Sequence, residues 1–134
     1  MLHDELQWFY IWDRLPSYND VTQANRTGWQ AGAGLKKRVE KLVLDSIDQA
    51  RGDTVDVITN PVNIHLYWHE PNHRRDVDNV QSSQKFILDA LQRAGILEND
   101  NPKHVRQVFH KVDYDCARND GKGYVGVYLE ILDR

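Results

Sequence analysis

The stretch PVNIHLYWHEPNHRRDVDNVQSSQKFILDALQRAG, Pro61 to Gly95, changes its period part-way along and thereby decides the fold. After Pro61 the apolar residues Val62, Ile64, Leu66 and Trp68 alternate with Asn63, His65 and Tyr67. A period of two belongs to a strand with one side in the core. Further on, Val80, Ile87, Leu88, Leu91 and Ala94 form a stripe at helical spacing. Asp78 is a favourable N-cap and Gly95 a favourable residue just past a helix end, so the spacing predicts a helix from about Asp78 to Ala94.

Upstream, Trp8, Phe9, Tyr10, Ile11 and Trp12 make Leu6 to Trp12 dense in strand-forming residues, predicting a first strand inside the sheet that stops in a turn at Pro16. Between Gly34 and Ala50, Leu35, Val39, Leu42, Val43 and Ile47 recur every three or four residues, predicting a helix ended by Arg51, Gly52 and Asp53. Downstream, His104 to Asp113 and Tyr124 to Leu132 read as strands. The loop between them holds Asn119, Asp120, Gly121 and Gly123 and suits a hairpin. The order β-α-β-α-β-β predicts a small α/β (α+β) domain with a mixed sheet and two main helices. It spans residues 1–134 without linker or repeat.

Composition sets outer bounds. The chain of 134 residues has one domain's length, and its 28% charged and 40% hydrophobic residues are those of a globular protein. No apolar run is long enough to cross a bilayer, and Met1 to Glu5 lacks a basic segment leading into an apolar one. A cytoplasmic protein without a membrane partner is expected. The single cysteine, Cys116, excludes an intrachain disulfide and a Cys-rich zinc module, and reads as a small inert thiol. A formal charge of -3 argues against a protein that coats nucleic acid through a large positive field. Locally the balance reverses. From Val21 to Leu44, Arg26, Lys36, Lys37, Arg38 and Lys41 face one acid, Glu40, a segment suited either to a phosphate backbone or simply to a solvated helix face.

The chemistry concentrates in Arg74-Arg75-Asp76-Val77-Asp78-Asn79, followed by Lys85, Asp89 and Glu98-Asn99-Asp100. If Asp76 and Asp78 lie in extended backbone, alternation places both carboxylates on one side, converging on a cation. Asp100 follows a helix about 24 Å long, so it joins them only if the chain then doubles back. Carboxylates without His or Cys partners select a hard ion, Mg²⁺ with Mn²⁺ able to substitute. Such an ion polarises a phosphoryl oxygen and acidifies bound water. Lys85, two helical turns after Asp78, would meet negative charge developing on phosphate. Plainer readings stand beside these: Asp78 as a cap, Lys85 with Asp89 as a surface ion pair, Asp100 in an ordinary turn. His65, His69 and His73 recur every four residues, but on a strand that spacing covers about 13 Å, too far for shared zinc ligands.

Together these residues resemble the RusA-type Holliday junction resolvases, especially those of phages and prophages. Leu15-Pro16-Ser17-Tyr18-Asn19 is similar to the family's Leu-Pro-x-x-Asn segment, and Asn25-Arg26 and Gly34-Leu35-Lys36-Lys37 follow it. Arg75-Asp76-Val77-Asp78-Asn79, with Lys85, Leu88-Asp89-Ala90-Leu91, Gly95 and Asp100, is similar to its most specific signature. The resemblance implies a homodimer that nicks opposed strands of a four-way DNA junction with Mg²⁺. It implies metal ligands at Asp76, Asp78 and Asp100 and an essential lysine at Lys85. The chain departs from the pattern in the longer spacing before Lys85, and in Asn99-Asp100 where adjacent acids are common, which makes Glu98 an auxiliary ligand candidate. A two-fold dimer also suits the two equivalent scissile phosphates of a junction. Arg26, Lys36, Lys37, Arg74 and Arg75 are the expected phosphate contacts, reading backbone and shape more than bases.

Overall fold

The structure, a computed structural model, describes residues 6–51, 57–114 and 118–133. Cys116, Gly52, Asp53 and residues 1–5 lie outside them. In chain order the elements are β1 (Trp8–Ile11), α1 (Tyr18–Thr27), α2 (Trp29–Ala50), β2 (Val62–His69), α3 (Val77–Gln81), α4 (Gln84–Arg93), β3 (Val105–Asp113) and β4 (Tyr124–Ile131). A short 3₁₀ turn, Asn119–Gly121, precedes β4. The class is the expected mixed α+β, one four-stranded sheet with helices.

The alternation in β2 survives intact. Val62, Ile64, Leu66 and Trp68 are at most 2% exposed, and they meet Phe9 and Ile11 of β1 and Val125, Val127 and Leu129 of β4 in one core. Val39, Val43 and Ile47 of α2 and Ile87, Ala90 and Leu91 of α4 are buried in the same core. Each of the larger aliphatic and phenyl side chains among them stabilises the fold by about 1.5–3 kcal/mol. Gly95 takes φ +76°, the left-handed backbone that ends α4 as its position predicts.

Several expectations are corrected. The sheet order is β1-β4-β2-β3, so β3 and β4 form no hairpin. The α3–α4 crossover returns the chain parallel to β2, and β3 takes one edge of that strand. Only the other edge then remains, and β4 fills it antiparallel. With β4 inside, β1 becomes an edge strand. Its aromatic density reflects a sheet face without helices on it, described below.

A further helix, α1, follows the turn at Pro16, in a segment for which no element was expected. Ser17 Oγ accepts from the Asp20 amide and Asp20 Oδ2 from the Ser17 amide, a reciprocal capping box. α1 packs on α2 at a close approach, where a Cβ at Gly32 would lie 1.7 Å from Asn25 Oδ1. α2 accordingly begins before Gly34.

The expected helix from Asp78 to Ala94 is interrupted at Ser82-Ser83. Ser82 Oγ donates to the Asn79 carbonyl and Ser83 Oγ to the Pro16 carbonyl, so two hydroxyls compete for the helical path. The cap is Asp76, in extended backbone, while Asp78 already lies in the first helical turn.

At the outer edge, Trp68 Nε1 donates to His110 Nδ1 at 2.9 Å, and the other ring nitrogen is 2.9 Å from Gln84 Oε1. His110 is therefore neutral, with its proton on Nε2. Burial lowers its pKa from the ordinary 6.5. A histidine lowered in the fold protonates more readily in the unfolded chain, so its contribution is complete above about pH 6.5 and shrinks as pH falls towards the folded value. Urea midpoints are expected to be flat above pH 7 and to drop as the pH falls below about 6.5, with a shallower drop in His110→Gln. His69, also lowered by burial against the pull of Asp113, supplies the remaining slope. Identical slopes in the two proteins would refute the assignment to His110.

Candidate functional site

The Arg74-to-Asn79 segment follows β2, and a buried ionic brace holds it. Glu70 continues the inward parity of β2 and is only 4% exposed. Its Oε1 accepts from Arg14 Nε at 3.2 Å and Nη2 at 3.1 Å, and Arg75 Nη1 lies 3.9 Å away. Arg75 also donates to the Leu15 carbonyl at 2.7 Å and to Asp20 Oδ2 at 2.9 Å. Tyr114, just past β3, donates to the Arg75 carbonyl at 3.0 Å. Burial, then the charges of Glu70 and Asp76, raise its phenol's pKa from the ordinary value. For Arg75, burial and the adjacent Arg14 outweigh Glu70 and Asp20 and lower the pKa.

These contacts join two sequence-distant segments, Leu15-Pro16-Ser17 and Arg75-Asp76-Val77-Asp78, because Arg75 holds Leu15 and Ser83 holds Pro16. They also correct one expectation. Arg75 is an internal brace whose guanidinium is committed to protein acceptors, and not a free phosphate contact. Arg74 beside it is exposed, as are Arg26, Lys36 and Lys37.

Asp76 and Asp78 are both exposed, and among the described residues no hydrogen bond or ion pair engages either carboxylate. The extended alternation expected to aim them together does not form, since Asp76 caps α3 and Asp78 lies inside it. Asp100 is exposed in the loop after α4, where Asn99 and Asn101 side chains accept from backbone amides two residues on. That loop leads into the start of β3, which runs parallel to β2. Asp76 and Asp78 follow the far end of β2. The eight residues of β2 rise about 3.3 Å each, so more than 20 Å of sheet separates Asp100 from the pair. The chain does not double back, and among the described residues no three His, Cys, Asp or Glu side chains are grouped to hold a metal.

Lys85 pairs with Asp89 at 3.6 Å across one turn, with both side chains largely in solvent. It also lines, with Lys36, Asn25 and Phe86, a cavity of about 430 Å³ between α1, α2 and α4. The three spaced histidines go to separate neighbours: His65 to Glu130 at 2.9 Å, His69 stacked on Tyr124, and His73 on Tyr114. No family model and no curated protein matches this chain. Among the described residues the geometry offers two unengaged carboxylates at the braced start of α3, a basic helical layer nearby, and a third carboxylate at the opposite end of the sheet.

Sequence reasoning missed Glu70, Arg14, Asp20 and Tyr114. A signal existed for two of them. Glu70 is an acid on the inward register of an apolar strand, and Ser17-x-x-Asp20 is a capping-box spacing.

Proposed function

We propose that the chain is a Mg²⁺-dependent endonuclease that cuts four-way DNA junctions. The observation that carries this reading is the pair of exposed carboxylates of Asp76 and Asp78, unengaged among the described residues, at the start of α3, which Glu70 and Arg75 brace. Mg²⁺ commonly takes one or two protein carboxylates and completes its octahedron with water and substrate phosphate, so this pair suits it. The ion's chemistry is to polarise the scissile phosphate and acidify a bound water.

The third acid shapes the proposal. Since Asp100 stands at the other end of the sheet, a single copy brings two aspartates to the ion. A two-fold homodimer lets Asp100 of the partner complete the set, and it supplies two sites for two scissile phosphates. Lys85 and Lys36 flank one cavity and contribute positive charge to the bound strand, and the exposed Lys85–Asp89 pair is released at a cost of roughly 0.5 kcal/mol. Arg26, Lys37 and Arg74 extend the phosphate-binding frame, so affinity falls as salt rises.

The test is cleavage of an end-labelled four-way junction beside a linear duplex and a flap, with Mg²⁺, with Mn²⁺ or with chelator. Paired symmetric nicks in the junction alone, lost with chelator, are expected. Equal cutting of the flap would broaden the substrate to branched DNA in general. Junction binding without cutting would make the chain a silent binding module and refute the enzyme.

A further inference from the structure

The helices cover one face of the sheet, and the other carries an aromatic lattice. Trp8 and Tyr10 of β1, Tyr124 and Tyr128 of β4, Tyr67 of β2 and Phe109 of β3 all point that way by strand alternation. Trp12, just past β1, joins them by stacking on Tyr10 and Tyr124. Trp8, Tyr10, Trp12 and Phe109 are 40–50% exposed, an unusual load of large apolar surface for one side of a small sheet.

We infer that this face binds a second copy of the chain, sheet against sheet. Three observations select that occupant. The rings spend their faces on each other: His69 and Tyr124 lie 4.1 Å apart at 10°, Trp8 and Tyr128 4.7 Å apart at 22°, His65 and Phe109 4.9 Å apart at 23°. Rings already stacked on one another have less open face to offer nucleobases, while their remaining surface packs readily against protein. The charge is also wrong for a polyanion, since among the charged strand residues of this face Lys111 stands against Glu130 and Asp113, a formal balance of -1. Both signs on one face are what an isologous contact needs, where each copy answers the other's lysine with its own acids. The size fits as well. Four strands about 4.8 Å apart and four rows about 6.7 Å apart project to about 500 Å², and the relief of the rings brings the accessible area near the roughly 800 Å² per partner of a stable interface.

The inference deepens the proposed nuclease by naming its dimer surface, but it stands on the lattice alone. A two-fold axis lying across the strands reverses their direction in the second copy, which sets one copy's Asp100 loop at the same end as the other's Asp76 and Asp78.

The test is sedimentation equilibrium of the full chain from about 1 to 100 µM, without DNA or metal, so that failure here is separable from failure of the nuclease reading. A mass of twice 15.7 kDa is expected. Trp8→Glu combined with Phe109→Glu should weaken dimerisation at least about 100-fold, judged by the truncation of central aromatic anchors elsewhere, with circular dichroism reporting the fold. Gln23→Glu, on α1, should change nothing. Should the double variant misfold, acrylamide quenching of tryptophan in the chain carrying Trp29→Phe serves instead, and quenching should rise on dilution through the dissociation constant. A monomer at 100 µM, or a dimer indifferent to both substitutions, overturns the inference. So does a monomer whose Trp8 fluorescence is quenched by a single-stranded oligonucleotide at micromolar concentration, which would hand the face to nucleic acid.

Discussion

Asp78→Asn is expected to lower Mg²⁺-dependent junction cleavage by about 10³-fold or more while leaving junction affinity within about threefold. The amide keeps the size of the carboxylate but not its charge, and a hard cation holds to it weakly. Fold and binding survive because Asp78 is exposed and, among the described residues, its carboxylate holds nothing, so the stability change stays within about 0.5 kcal/mol. The basic frame is untouched. The same experiment tests where Asp100 acts. Asp78→Asn and Asp100→Asn should each be inactive alone, yet mixing them lets half the dimers form across types. Each mixed dimer then has one site with all its aspartates intact, if the ligands come from two copies. About a quarter of wild-type nicking should return, as single-strand cuts. No recovery on mixing would place the functional aspartates in one chain, and an Asp78→Asn protein cutting at the wild-type rate would remove Asp78 from the site.

The second large effect is on stability. Glu70→Ala should cost about 3–5 kcal/mol, because it leaves the half-buried guanidiniums of Arg14 and Arg75 side by side without their shared counter-ion. That corresponds to a fall in Tm of roughly 10–20 °C for a domain of this size. Glu70→Gln keeps an acceptor for Arg14 and should cost less. Cleavage should fall with Glu70→Ala even at temperatures where the protein stays folded, since the start of α3, with Asp76 and Asp78, loses its brace. Thermal and urea unfolding of both variants would check this, and a cost under about 1 kcal/mol for Glu70→Ala would show that water already compensates the cluster.

Much of the fold was legible because it depends on period and punctuation. The alternation from Val62 to Trp68, the stripe through Val39, Val43 and Ile47, and Gly95 at the end of α4 are local patterns with local causes. Strand order is not local. Nothing in Tyr124 to Ile131 says that its neighbours are β1 and β2, because a central strand and a hairpin arm can carry the same alternation. Ser17 and Asp20 did spell out a helix start, but Pro16 and Asn19 beside them spell a turn equally well. The candidate site divides in the same way. The acidic segment was legible as a cluster of charge, whereas its nearness to the Leu15-Pro16 segment comes from the contacts of Arg75 and Ser83, and the remoteness of Asp100 from the parallel return of β3. The inward turn of Arg75 follows from Glu70, a partner that no spacing between Arg75 and the aspartates could reveal.

The place of β4 between β1 and β2 also governs how the molecule can be made. Trp8 pairs with Tyr128, about 120 positions along the chain. At about 5–20 residues per second, a ribosome needs roughly 6–24 s to extend the polypeptide between them. Through that interval β1, with its exposed Trp8, has no strand to join, and from the time β2 is made the edge that β4 will occupy stays unpaired. The sheet closes only when β4 slots between partners made long before it. Synthesis therefore leaves an aromatic, unpaired segment exposed for seconds, the interval in which the growing chain is most open to association with other copies of itself.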